Sequence, residues 1–319
     1  MADQTTELLR VEDLQKTFPR GNRTLKAVDH ISFTLRQGET LGLVGESGSG
    51  KSTLGRTVLR LHEPTGGRVL FEGKDLAQLN RQQMRDQRRH MQLIFQDPLA
   101  ALNPQMTIGQ AIEDPLIIHK VGTPAQRRDL VLQLLDTVGI GREFIDCFPY
   151  EFSGGQQQRV GIARALALQP KFLVCDEPVS ALDVSIQAQI IKLLVELRKE
   201  YHLSYLFIAH DLGVIKYLSD RVAVMYLGKI VQLGATSDVF SRPAHPYTKA
   251  MIESVPRIPK DGHPGQRFST LQGEIPSPID LPRGCRFAGR CPVATARCAA
   301  EEPALRELAP GHLVACHLA

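Results

Sequence analysis

No stretch of this 319-residue chain approaches the roughly 18 consecutive apolar residues that a membrane-spanning helix needs. The first residues, Met1-Ala2-Asp3-Gln4, carry neither a basic start nor an apolar core, so no export signal is visible. Charge is nearly balanced, formally +4, and there is no basic patch, so no nucleic acid is expected as a partner. Internal repeats and CxxC pairs are also missing. These absences point to a cytosolic protein, in which the six cysteines are not expected to form disulfides. What remains is a chain long enough for a sizeable core, and for two domains or one with an appendage.

The most informative stretch is Gly45-Glu46-Ser47-Gly48-Ser49-Gly50-Lys51-Ser52-Thr53. It fits G-x-x-x-x-G-K-[ST], a loop that cradles the phosphates of a nucleoside triphosphate. An apolar run from Thr40 to Val44 precedes it and reads as a buried strand. Leu54, Val58 and Leu61 follow on one helical face. Glycines let backbone N–H groups converge on oxygen anions, and the helix N-terminus adds to that field. In such a loop Lys51 bridges the β- and γ-phosphates and Ser52 holds Mg²⁺.

Further along, several strands end in chemistry. Leu93-Ile94-Phe95 leads to Gln96, which at a strand end can reach a metal or a γ-phosphate or be nothing more than a strand end. Phe172 to Cys175 leads to Asp176-Glu177, and Tyr205 to Ala209 leads to His210. Continuous apolar strands of this kind belong to parallel sheets, whose ligands gather at the carboxyl ends. A carboxylate for Mg²⁺ (Asp176) and a second one for water (Glu177) are what phosphoryl transfer requires. Ser153-Gly154-Gly155-Gln156 opens a helix and supplies a second anion-type N-terminus. Asp183 is placed to cap the helix carrying Ile186, Ile190, Leu193, Leu194 and Leu197. Residues 8 to 36 read as antiparallel strands, and Val222 to Leu233 as a hairpin turning at Gly228-Lys229. Phe18 is expected on a loop, either stacking on a purine or filling a minor core. Residues 99 to 165 read as a helical insertion into an α/β core.

Taken in order, these motifs resemble those of ABC-transporter ATPases. That resemblance implies a P-loop, RecA-like α/β core with an N-terminal antiparallel β subdomain over 1–96 and 166–240. It further implies a helical subdomain over 97–165 and a C-terminal extension over 241–319. It makes Glu177 the catalytic base, His210 the histidine that contacts the γ-phosphate, and Gln96 a residue near Mg²⁺ that faces the membrane partner. Phe18 resembles the adenine-stacking aromatic, which is more often Tyr. Ser153 to Gln156 would serve the ATP of the opposite subunit, with Phe152 standing where Leu is usual. ATP would then be sandwiched in a closed dimer.

The C-terminal stretches His245-Pro246-Tyr247-Thr248-Lys249-Ala250, Gly273-Glu274-Ile275-Pro276-Ser277-Pro278, Cys285-Arg286-Phe287 and Arg290-Cys291-Pro292 resemble the tails of ATPases from dipeptide and oligopeptide importers. The implied partners are two membrane permease subunits, a second homologous ATPase and, through the permease, a periplasmic or extracellular peptide-binding protein. The implied location is the cytoplasmic face of the cell (inner) membrane. Related solutes in such importers include nickel chelates and glutathione. A soluble ABC ATPase acting on ribosome or DNA is the competing reading, although such proteins usually carry two cassettes. A metal-cluster sensor with secondary ATPase activity is a third.

Cys285, Cys291, Cys298 and Cys316 follow C-x5-C-x6-C-x17-C. Four thiolates suit tetrahedral Zn²⁺ or a [4Fe–4S] cluster, and the spacing alone also allows free thiols. The family resemblance favours iron–sulfur, with a structural role in a tail of little apolar content.

Overall fold

The computed structural model describes residues 6–255, 273–274 and 276–319. Ile275 of the Gly273–Pro278 stretch lies outside the described residues. Among the described residues twelve strands run in chain order: β1 (Glu7–Arg20), β2 (Arg23–Arg36), β3 (Thr40–Val44), β4 (Gly66–Phe71), β5 (Lys74–Asp75), β6 (Met91–Ile94), β7 (Phe172–Asp176), β8 (Ser204–Ile208), β9 (Arg221–Tyr226), β10 (Lys229–Ala235), β11 (Arg306–Ala309) and β12 (His312–Val314). The chain divides into two compact units. One comprises Met1–Arg10, Thr34–Thr40 and Val69–Ala209; the other comprises Val11–Phe33, Leu41–Arg68 and His210–Ala319.

In the first unit β6, β7 and β8 run parallel, with Met91 opposite Phe172 and Phe172 opposite Ser204. Every residue of β7 and β8 is buried, the expected state of strands covered on both faces. The helices Pro98–Ala101, Ile108–Ile118, Pro124–Thr137 and Gly154–Leu166 follow or precede these strands and pack on one another. Three of them start in the same way. Thr107 with Gln110, Thr123 with Gln126 and Ser153 with Gln156 each form a reciprocal capping box, which satisfies two otherwise orphaned backbone donors.

In the second unit β3 pairs parallel with β9, and β9 pairs antiparallel with β10. The hairpin turn at Leu227-Gly228 has positive φ at both residues. β12 extends this sheet by pairing antiparallel with β10, and β11 pairs antiparallel with β12. β2 lies beside β1, so residues 8 to 36 form neighbouring strands, as alternation predicts. Phe18 departs from expectation: it lies within β1, not on a loop. The strand runs past Lys16-Thr17-Phe18-Pro19 because Lys16 Nζ donates to the Glu63 carbonyl and Thr17 N–H donates to the Thr65 hydroxyl. The Phe18 ring meets His62 edge-on at 5.6 Å, with Lys16 Nζ 4.9 Å from its centroid.

A buried polar chain fastens the C-terminal extension within this unit. The Gln232 side chain on β10 is fully buried. Its Oε1 accepts the His245 backbone N–H at 3.0 Å, and its Nε2 lies 2.9 Å from His312 Nε2. An amide Nε2 only donates, so His312 Nε2 is the acceptor. His245 Nδ1 in turn accepts the Tyr247 N–H at 3.0 Å, capping the helix Pro246–Glu253. Burial pushes the His245 imidazole down from its usual 6.5 to about 4, because the charged form would be desolvated.

The unfolded chain therefore takes up a proton between pH 7 and pH 4 that the folded chain refuses, and stability falls as pH drops through that window. The loss expected from this group is about 3 kcal/mol at pH 4. Thermal melts of the wild type should drop more steeply from pH 7 to pH 4 than those of His245→Asn, which keeps a capping oxygen without the titration. Parallel slopes would refute the assignment.

Candidate nucleotide site

The loop Gly45–Gly50 connects β3 to the helix Lys51–Val58. Its shape is set by what lies behind it. A side chain on Gly45 would come within 2.1 Å of the Met225 carbonyl, and one on Gly50 within 2.0 Å of the Ala27 carbonyl. Gly50 also has φ of 102°, a left-handed value that favours glycine. The Gly228 N–H donates to the Ser49 carbonyl at 2.8 Å, and the Glu46 N–H donates to the Tyr247 hydroxyl at 2.8 Å. The loop is thus held from outside by β2, the β9–β10 turn and the C-terminal extension.

The inner face has the features of an anion cradle. Lys51 is only 5% exposed, and its ammonium donates to the carbonyls of Gly45 at 2.8 Å and Glu46 at 3.1 Å. The Ser49 hydroxyl is buried and has no hydrogen-bond partner among the described residues. A buried hydroxyl in that condition costs free energy unless something pairs with it. Triphosphate oxygens fit both groups, so the residues present suit the nucleotide that the loop pattern implies.

In the first unit, Gln96, Asp176, Glu177 and Ser180 gather at the carboxyl ends of β6 and β7. Asp176 closes β7 and is 2% exposed. The Gln96 amide donates to Glu177 Oε2 at 3.0 Å and to the Ser180 hydroxyl at 3.4 Å, while Ser180 Oγ donates to the Glu177 carbonyl at 3.1 Å. Glu177 itself has φ of 48°, a left-handed conformation that costs a non-glycine residue about 1–3 kcal/mol. Its N–H donates to the Ile208 carbonyl on β8 at 3.0 Å. These bonds over-determine the backbone, and the Gln96 amide fixes the direction of the carboxylate. Sequence reading gave Gln96 and Glu177 separate roles and did not foresee the bonds that join them to each other and to Ser180.

Ser153 is the N-cap of Gly154–Leu166, where its hydroxyl accepts the Gln156 N–H at 3.4 Å. Gly155 sits where a side chain would come within 2.5 Å of Ile186, so small size lets this helix start lie against the helix Val184–Tyr201. Asp183 is the N-cap of Val184–Tyr201, but it makes no side-chain cap bond; its carbonyl accepts the Gln187 N–H instead. Asp183 thus holds the expected N-cap position without a carboxylate cap, and the bond to its carbonyl is the helix's own first i→i+4 bond. His210 follows β8 and is exposed.

The family model described as "ABC transporter" matches residues 28–180. That described as "Oligopeptide/dipeptide transporter, C-terminal region" matches residues 231–298. The oligopeptide transport ATP-binding protein AppF of Bacillus subtilis is 49% identical over 99% of this chain and 98% of its own. This chain belongs to the ABC-transporter ATP-binding family. It is an ATPase of the P-loop ABC fold, with an antiparallel β subdomain and a helical insertion. A putative peptide import ATP-binding protein of Brucella ovis is 50% identical over 98% of each chain. Among solved structures, the ATP-binding cassette MJ0796, a dimer bound to ADP and phosphate, aligns with a TM-score of 0.66 at 29% identity, covering 72% of this chain and 99% of that one. The cbiO1 subunit of Clostridium perfringens aligns with a TM-score of 0.66 at 30% identity, covering 75% and 92%.

The four C-terminal thiols share one lobe. The Cys285 N–H donates to the Cys298 carbonyl at 2.7 Å. Burial, and then the neighbouring Cys298, Cys291 and Cys316, raise the Cys285 thiol above its ordinary value. The Thr295 hydroxyl and backbone N–H groups lower that of Cys298. All four are free. The donor chemistry suits a thiolate-ligated centre. The geometry is not closed around one, because no three Cys, His, Asp or Glu side chains among the described residues stand as a metal-holding group.

Steric backing of the loop can be tested by stability alone. Gly50→Ala forces a side chain against the Ala27 carbonyl, whereas Gly48→Ala meets nothing within 4 Å and bears only the cost of its positive φ, about 1 kcal/mol. The melting temperature should fall at least about 5 °C further for Gly50→Ala than for Gly48→Ala. Equal melting temperatures would show that the backing is soft.

Proposed function

We propose that this chain is the ATP-hydrolysing subunit of a membrane importer for di- or oligopeptides. The single observation that carries this reading is full-length identity near one half to oligopeptide and peptide import ATP-binding proteins; the cradle, with its buried ammonium and a hydroxyl unpartnered among the described residues, agrees with it. No helix among the described residues is long and apolar enough to cross a membrane. Transport by this reading needs membrane partners: two permease subunits, with a second, related ATPase and a peptide-binding protein outside. The chain would sit peripherally on the cytoplasmic face of the membrane, and the helical subdomain over 97–165 would receive the permease.

Residue roles follow the chemistry of each group. The N–H groups of Glu46 to Ser52 and the Lys51 ammonium bind the β- and γ-phosphates, and Phe18 meets the adenine. Ser52, Gln96 and Asp176 would hold Mg²⁺, which when bound neutralises phosphate charge and orients the terminal phosphoryl group. Glu177 orients and deprotonates the attacking water, and Gln96, bonded to it, ties the carboxylate to the surface offered to the permease. His210 contacts the γ-phosphate. Ser153, Gly154, Gly155 and Gln156, with Asp183 at the start of the helix that Gly155 approaches, present helix N–H donors to the ATP of a partner cassette. ATP then favours the closed dimer because only the closed form makes both sets of contacts.

Cys285, Cys291, Cys298 and Cys316 are proposed to hold a [4Fe–4S] cluster as a structural staple; the support is four free thiols in one C-terminal segment, with Cys285 and Cys298 joined by a backbone hydrogen bond. Zn²⁺ is the alternative occupant.

Glu177→Gln should bind ATP with Mg²⁺ yet hydrolyse it at least about a hundredfold more slowly, and should accumulate as a dimer on size exclusion. Turnover at the wild-type rate would remove Glu177 from the role of base. Anaerobic purification with iron, sulfide and zinc analysis decides the C-terminal proposal. About four irons per chain with broad absorbance near 400 nm support the cluster, whereas zinc or metal-free thiols overturn it.

A further inference from the structure

Arg290 lies between the aromatic cluster of the C-terminal extension and the phosphate loop. It is 244 residues from Glu46 in sequence. Its guanidinium nevertheless grips that carboxylate with two bonds, Nη1 to Oε2 at 2.6 Å and Nη2 to Oε1 at 2.9 Å. The Arg290 side chain is 4% exposed and Glu46 23%. Nη1 also donates to the Tyr226 hydroxyl at 3.3 Å, and the guanidinium lies over the rings of Tyr226 and Phe287. The same loop residue is held a second time, because its backbone N–H donates to the Tyr247 hydroxyl. Tyr226, Tyr247 and Phe287 pack on one another with centroids 4.7 to 5.4 Å apart. Arg286, one turn earlier, is anchored to Asp29 and to the Leu227 carbonyl.

Glu46 occupies a position that the loop pattern leaves free. A carboxylate there faces a built difficulty: it adds negative charge to a site for a triphosphate. Bidentate pairing to a buried guanidinium neutralises that charge and fixes the direction of the loop's first turn. We propose that Arg290 is a positioning residue of the phosphate loop, so that the C-terminal extension sets the affinity of this chain for nucleotide. The inference rests on the reading of Gly45–Thr53 as the ATP site. It requires no metal at the cysteines. Arg290 neighbours Cys291, so a displacement of that segment reaches the Glu46 carboxylate through the Arg290 side chain.

The test uses the full-length chain with Mg²⁺ and a slowly hydrolysed ATP analogue, read by calorimetry, together with ATP hydrolysis kinetics and thermal melts. Glu46→Gln, nearly isosteric, and Arg290→Ala should each weaken nucleotide binding about tenfold, the factor that ~1.4 kcal/mol represents. For Arg290→Ala, outside the loop itself, the rate at saturating ATP should stay within about twofold of wild type, since the loss is uniform across ground and transition states. Arg290→Lys, which keeps the charge without the fork, should fall between. The double variant Glu46→Gln/Arg290→Ala should bind no worse than the weaker single variant, because both remove one interaction. Variants that melt earlier but bind the analogue as tightly as wild type would reduce Arg290 to an anchor of the tail and overturn the proposal. Lys51→Ala separates the two levels. If it leaves binding intact, the ATP-site reading itself fails; if it abolishes binding while Glu46→Gln and Arg290→Ala do not weaken it, only the positioning role fails.

Discussion

The constraint on which this protein depends is the need to aim a run of backbone N–H groups and one ammonium at the same small volume. A short glycine-rich loop has no stiffness of its own, since each glycine adds conformational freedom that must be taken away. The stiffness comes from the backbone behind it. The Ala27 and Met225 carbonyls press so closely that no side chain fits at Gly50 or Gly45. The Gly228 N–H and Tyr247 hydroxyl take up loop groups that would otherwise be loose. Glycine at these positions is required by close approach as much as by dihedral angle.

A second kind of order appears around Glu177. Its left-handed backbone is a local cost, offset by bonds from its N–H to the Ile208 carbonyl and to its own carbonyl from Ser180. Strain held in place by several partners gives a carboxylate a fixed direction. The Gln96 amide completes the arrangement by binding the carboxylate itself, so a side chain on the β6 loop is coupled to one on the β7 loop by a single hydrogen bond.

The C-terminal extension is more than an appendage. β12 continues the sheet through β10, and Gln232 joins His312 to the N-terminus of the Pro246–Glu253 helix. Two arginines then carry the cysteine-bearing segment back to residues near the start of the chain, one to Asp29 and one to Glu46. Buried polar and charged groups are costly unless fully paired. Their pairing here gives the extension one defined seat.

The amino-acid order alone determined the phosphate loop, the parallel strands ending at Asp176 and Ile208, the helix start at Ser153 and the hairpin at Gly228. Each of these is a local event: a period of apolar residues, a glycine spacing or a cap within four residues. Family kinship was legible for the same reason, since the motifs are short and ordered. Tertiary structure alone decided that Phe18 lies in a strand, that Gln96 bonds Glu177, and that Arg290 pairs with Glu46. These depend on chain segments tens to hundreds of residues apart, and a long, flexible side chain can reach many partners. Which one it meets is settled only when packing excludes water and leaves a single acceptor within reach.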